Sequence, residues 1–159
     1  MLWYNAVMRY RSAFNALEAI IVVAVFGLFA TLAILSLNSA RASARDAQRL
    51  SDVGTLRAAL GQYWLEKASY PLSGGIELGK AGNNADMLTA NGFIGRQTTQ
   101  SAVYLDRIPT PPKGNEFYRY RGGANGYSIR FKTETKTELG DPNVYYAHAT
   151  GIDSEDAER

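Results

Sequence analysis

Between Ala19 and Leu37 the sequence carries no charged side chain, and only Thr31 and Ser36 interrupt a run of Ala, Ile, Val, Leu, Phe and Gly27. As a helix, a segment of this length spans roughly 30 Å, the thickness of the hydrocarbon core of a bilayer. Two other readings compete. A helix buried inside a soluble domain fails on size, because the rest of a 159-residue chain is too small to cover a helix that is apolar all round. A secretory signal would have a shorter apolar region and a small-x-small cleavage site before a turn, whereas this run passes into further helix. A membrane span is the reading that remains.

The next segment, Asn38 to Lys67, is rich in Ala and free of Pro. Arg41, Arg45, Asp46, Arg49 and Asp52 are helix-tolerant residues and read as a solvated face. Val53, Leu56, Leu60 and Tyr63 recur at spacings of three, four and three, an apolar stripe suited to packing on a sheet of the same chain. Gly54 and Gly61 each weaken this helix by about 1 kcal/mol relative to Ala. Tyr70-Pro71 and Ser73-Gly74-Gly75 end it.

Ile76 to Pro112 reads as a long irregular connection, with one short helix over Ala85 to Ala90 stopped by Asn91-Gly92. Pro109, Pro111 and Pro112 deny a central strand to the end of that stretch. The period then changes to two. Phe117 to Arg121 alternates aromatic with polar residues, Gly122 to Gly126 is a turn, and Tyr127, Ile129 and Phe131 share one face opposite Ser128, Arg130 and Lys132. This predicts a hairpin with one buried face, joined by a third strand at Val144 to Ala147. The fold class is α+β: a long N-terminal helix, half in the membrane, packed by its second half on a small antiparallel sheet. The expected organisation is a leader over 1–13, a transmembrane helix over 14–37, its amphipathic extension over 38–68, a globular domain over 69–152 and a flexible acidic tail over 153–159.

The residues around the start of the apolar run carry the functional argument. Ser12-Ala13-Phe14-Asn15-Ala16-Leu17-Glu18 places one carboxylate just inside an otherwise apolar helix. An unpaired charge in lipid costs several kcal/mol, so such a residue has a partner or sits wet at the headgroup boundary. Ala13 to Glu18, followed by Ala19 to Gly27, resembles the N-terminal processing and methylation motif of type IV pilins and type II secretion pseudopilins. The matching positions are the small Ala13, Phe14, Glu18 and Gly27. The stretch from Asn38 to Asp46, Tyr70-Pro71 at its end and the Ile108-Pro109 loop resemble the family's later layout.

The resemblance implies cleavage between Ala13 and Phe14 by a membrane prepilin peptidase and N-methylation of the new Phe14 amine. It implies that Glu18 faces the Phe14 amine of a neighbouring subunit during assembly. It also implies a structural, non-enzymatic subunit of a pilus or pseudopilus, with an inner-membrane assembly platform as partner. The chain would be a single-pass protein of the bacterial inner membrane with its C-terminal domain extracytoplasmic. A carboxylate and an ammonium that are each costly alone become tolerable as a pair, and the pairing fixes register between subunits.

The departures are Ala13 for the commoner glycine, Asn15 for threonine, and Leu35 where many pilins have a helix-kinking proline. The arginine count opposes the implied topology: Arg9 and Arg11 precede the span, while Arg41, Arg45 and Arg49 follow it. The alternative reading is a signal-anchored membrane protein with a small extracytoplasmic binding domain and no cleavage.

The remaining signals are weaker. There is no cysteine, so no disulfide or thiolate metal site forms. The net charge of +2 gives no argument for nucleic acid by itself. Arg119, Arg121, Arg130 and Lys132 beside Tyr118 and Tyr120 could bind nucleic acid, but a solvated sheet face accounts for them better. Asp141, Asp153 and Asp156 could hold calcium but lack tight ligand spacing, and a solvated tail is favoured, so no cofactor is expected. His148 reads as structural. Neither Ser12 nor Ser36 has a recognisable base, and no catalytic set is present in the sequence.

Overall fold

The computed structural model describes residues 15–96 and 101–158. One helix, α1 (Ala16–Lys67), is followed by eight strands: β1 (Ser73–Glu77), β2 (Met87–Thr89), β3 (Gly92–Ile94), β4 (Val103–Leu105), β5 (Arg119–Gly122), β6 (Tyr127–Lys132), β7 (Val144–Ala147) and β8 (Ile152–Asp153). The chain divides into two compact units, one ending at Asn38 and one beginning at Ser39.

In the first unit the apolar window of α1 is wholly unburied. Leu17, Ile20, Val23, Phe26, Phe29 and Leu35 are all more than half exposed. This is the one helix among the described residues long and apolar enough to cross a membrane. Thr31 donates its hydroxyl to the carbonyl of Leu28 at 2.7 Å, so this polar side chain is satisfied within the helix.

The second unit is α+β. Its main sheet has the order β1-β5-β6-β7-β8, and a smaller sheet has the order β3-β2-β4. All pairings are antiparallel. Register explains the burial. Ile76, Tyr120, Ile129, Ala147 and Ile152 are cross-strand neighbours in one row, and that row meets Val53, Leu56, Leu60 and Tyr63 of α1 in a single core. The stripe at spacings of three and four therefore packs as the sequence predicts. The hairpin β5–β6 and the strand β7 also form where the period-two pattern puts them.

The helix stops after Lys67 because Ala68 takes a left-handed conformation (φ 51°) and its amide donates back to the carbonyl of Trp64 at 2.8 Å. Tyr70 then turns inward between Trp64 and Tyr127. Gly122 is required by close approach. A Cβ there would collide with the Tyr120 hydroxyl and the Pro71 carbonyl oxygen, which are themselves hydrogen-bonded at 2.8 Å.

Three expectations are corrected. Ala85 to Ala90 is not a helix: Met87–Thr89 is the central strand of the smaller sheet. Asn91 lies in the turn of a hairpin in which Thr89 pairs with Gly92, and Gly92 adopts φ 91°. A short, wholly buried apolar run fits either period, and the tight turn decides for the strand. The connection from Ile76 to Pro112 is irregular over most of its described length, as expected, but carries the end of β1 and the short strands β2, β3 and β4. Ser73-Gly74-Gly75 does not merely end the helix; it opens β1, with a bulge before Ile76. The segment from Asp153 is not a free tail. It contributes to β8, and Asp156 accepts from Ser128 at 3.0 Å and Arg121 at 3.3 Å.

Candidate assembly site

At the start of α1, Asn15 occupies the N-cap position. Its carbonyl accepts the first helical bond from Ala19 at 3.1 Å, and asparagine is among the best residues there. Glu18 lies in the first turn, where the positive end of the helix dipole favours a carboxylate. From Ala16 to Ala40 it is the only charged residue. Its side chain is exposed, and no cation among the described residues lies within ion-pairing distance. Gly27, the other feature matched in the motif, has no atom within 4 Å of where a Cβ would stand, which leaves the helix bare for close approach. Ala13 and Phe14 lie outside the described residues.

The second unit holds a constellation that the sequence pattern misassigns. Asp46 and Arg49, expected on a solvated face, are each 1% exposed. Arg49 reaches Asp46 at 2.8 Å, Glu116 at 2.8 Å and Glu134 at 2.6 Å. Arg45 adds a two-pronged pair with Glu134 at 3.0 and 2.6 Å. The Asp46 carboxylate also accepts from the amides of Glu134 (2.9 Å) and Thr135 (2.7 Å) and from the Thr135 hydroxyl (2.8 Å). It thereby pins the loop after β6 to α1. Asp52, about one turn beyond Arg49, accepts from the Tyr118 hydroxyl at 2.8 Å.

These contacts set the titration of the cluster. Burial alone would raise the Asp46 carboxyl, but the bonds from Thr135, Glu134 and Arg49 outweigh it and hold it below its ordinary value. For Glu134 the hydrogen bond from Arg45 is the largest influence; against the cost of burial, and with Arg49 adding to it, the carboxyl is pushed down to about 2. Asp52 moves the other way, because burial raises it more than the Tyr118 hydroxyl lowers it. The i,i+3 pair Asp46–Arg49 is visible in sequence. Its partners are 67 and 85 residues further along, and no local pattern reveals them.

The weaker candidates fall apart in space. Tyr118 and Tyr120 are buried against α1, so the basic outer face of Arg119, Arg121, Arg130 and Lys132 lacks those aromatics. Asp156 is engaged by Ser128 and Arg121, and Asp153 lies 3.3 Å from the His148 ring. Asp141 accepts the Tyr145 hydroxyl on its backbone carbonyl at 2.8 Å. Among the described residues no group of three or more acidic or histidine side chains is disposed to hold a metal ion.

No family model matches the sequence, and no solved structure matches it. Among curated proteins, the chain is 27% identical over 114 residues to the type II secretion system core protein G of Escherichia coli K12, covering 71% of this chain and 74% of that one. It is 25% identical over 118 residues to the protein of the same name from Aeromonas hydrophila, covering 74% and 78%. It is 25% identical over 120 residues to that from Vibrio cholerae O1, covering 75% and 77%.

Proposed function

We propose, for a chain that belongs to the type IV pilin and pseudopilin family, that it is a structural subunit polymerised through α1 after removal of the first thirteen residues. In this reading a prepilin peptidase cuts between Ala13 and Phe14, the Phe14 amine is methylated, and Glu18 of one copy meets the Phe14 amine of the next. The observation that carries it is Glu18: one carboxylate, unpaired among the described residues of its own chain, at the head of an unburied apolar helix. Two charges that each carry a large desolvation cost in an apolar bundle hold one another there. A relative named as a type II secretion core protein favours a secretion pseudopilus over an adhesive pilus. The C-terminal domain is then extracytoplasmic. The arginine count opposes that orientation, but Arg45 and Arg49 are demanded by the ion cluster of the folded domain.

The test is the N-terminal mass of the membrane-extracted protein with a prepilin peptidase present or absent. A peptidase-dependent loss of about 1.6 kDa with a gain of about 14 Da on Phe14 is expected. An intact Met1 in both cases refutes the processing and supports a plain signal anchor. Glu18→Ala leaves insertion and cleavage intact and cripples assembly; normal filaments from this variant refute the pairing.

A further inference from the structure

The register of the main sheet lays one row of side chains across all its strands on the outer face: Glu77, Arg119, Arg130, Tyr146 and Asp153. Arg119 and Arg130 are direct cross-strand partners, and both are exposed. Like charges directly opposite one another in a sheet are destabilising. The acids that border them are engaged elsewhere. Glu77 pairs with Lys80, Glu116 with Arg49 at 2.8 Å, and Asp156 with Arg121 at 3.3 Å. The Asp153 carboxylate accepts from the Glu155 amide at 2.8 Å and lies 3.3 Å from the ring of His148. The nitrogens of that ring also stand 3.0 Å from the Tyr127 carbonyl oxygen and 3.1 Å from that of Glu155. Among the described residues no carboxylate lies within ion-pairing distance of Arg119, Arg130 or the exposed Lys132 further along β6.

We infer that this face is a docking surface for an acidic segment of a partner protein, with Arg119 and Arg130 as its anchors. Each guanidinium fork can give a carboxylate two parallel N–H bonds, and carboxylates set between the two forks turn their repulsion into attraction. Gly75 leaves room for one fork. A Cβ there would come within 2.9 Å of the Arg119 Nη2, so the guanidinium lies against the bare backbone of the β1 bulge. Tyr146, half-buried and paired with Arg130 across the strands, adds an apolar ring with a polar tip, a side chain enriched where proteins meet. The cleft between Arg119, Arg121, Arg130 and Tyr146 holds only about 30 Å³, too little to enclose a small molecule. The ligand therefore lies across the face.

The charge layout selects protein over nucleic acid. The positive patch is short: Glu77 and Asp153 stand at the two ends of the row, and Asp156 and Glu158 lie beside Arg121. A phosphate backbone running past the two anchors meets carboxylates within a strand or two, whereas a short acidic segment needs only the centre. The net charge of the whole chain is +2, so no wide positive field gathers a polyanion. Tyr146 is the one aromatic in the row and is half-buried, which leaves the row without an exposed platform for bases. The surface lies wholly in the second unit and is independent of processing at the N-terminus.

The test is fluorescence anisotropy on the full chain in detergent micelles. The probes are a fluorescein-labelled peptide with an Asp-Glu-Asp-Glu core, its Asn-Gln-Asn-Gln counterpart, and a labelled oligothymidylate of the same charge. The acidic peptide should bind, the neutral one should not, and binding should weaken severalfold between about 50 and about 200 mM salt. Replacing both anchors (Arg119→Gln with Arg130→Gln) should weaken it about tenfold. Arg107→Gln, exposed and outside the main sheet, should leave it unchanged. Because neither anchor has a partner to lose, the double variant should keep or raise its urea midpoint; a fall shows that the arginines hold the sheet and overturns the premise. Failure of the acidic peptide to bind, or binding that the double variant leaves intact, overturns the inference. So does oligothymidylate that binds as tightly as the peptide, which would assign the face to nucleic acid.

Discussion

Asp46→Asn is the sharpest perturbation of the domain, because it alters one charge and almost no volume. The carboxylate is 1% exposed. One of its oxygens serves Arg49 and the other collects the amide of Thr135, the hydroxyl of Thr135 and a share of the amide of Glu134. An amide side chain keeps one oxygen and turns an NH2 group on donors at the other end. At least one buried donor then loses its acceptor, at about 1–3 kcal/mol. Removing one member of a buried ion pair costs about 3–5 kcal/mol. Arg49 retains Glu116 and Glu134, so its charge stays compensated and the lower end applies. The expected loss is about 3 kcal/mol, a large part of the stability of a domain of this size. The assay is urea unfolding of the full chain in micelles, followed by the near-ultraviolet circular dichroism of the buried tyrosines, with the slope checked for constancy. Arg41→Ala, on the exposed side of the same helix, is the control and should stay within about 0.5 kcal/mol. A cost below about 1 kcal/mol for Asp46→Asn would refute the buried cluster and return these residues to a solvated face.

Three further outcomes follow from the same geometry. The stabilisation from Glu134, whose carboxyl is pushed down to about 2, is fully present above its ordinary value near 4.5 and is lost as pH falls toward 2; Glu134→Gln should flatten that acid limb in denaturant midpoints measured against pH. Tyr118→Phe takes the donor from a half-buried Asp52 and should cost about 1.5–3 kcal/mol in the same urea assay. Gly54→Ala meets nothing within 4 Å and should stabilise the isolated subunit by about 1 kcal/mol; reduced filament yield from this more stable variant would mark that face of α1 as a contact between copies.

What the sequence discloses is what repeats at short range. The stripe from Val53 to Tyr63 and the alternation through β5, β6 and β7 are periodic, and one period fixes which side chains face the core. β2 is hidden because three buried residues are too few to separate the two periods. The ion cluster is hidden for a different reason: Arg45, Asp46 and Arg49 have the composition of a wet helix face, and only Glu116 and Glu134, far along the chain, turn it into an interior. His148 has the same defect, since its partners are mostly backbone carbonyls and carry no signature in the sequence. Of the proposed assembly motif, Glu18 and the run behind it are legible because lipid tolerates so few sequences.

The two margins of the main sheet deserve a last consequence. β1 is broken by a bulge where Gly75 adopts φ 125°, and β8 at the other margin has two residues. Neither offers a straight row of free amides and carbonyls for another strand to join. In the vocabulary of polymer chemistry, the sheet is a capped group with no valency for lateral growth. Crowded copies are therefore poorly equipped to ribbon through this sheet, and under the proposed function ordered growth is left to the bare surface of α1.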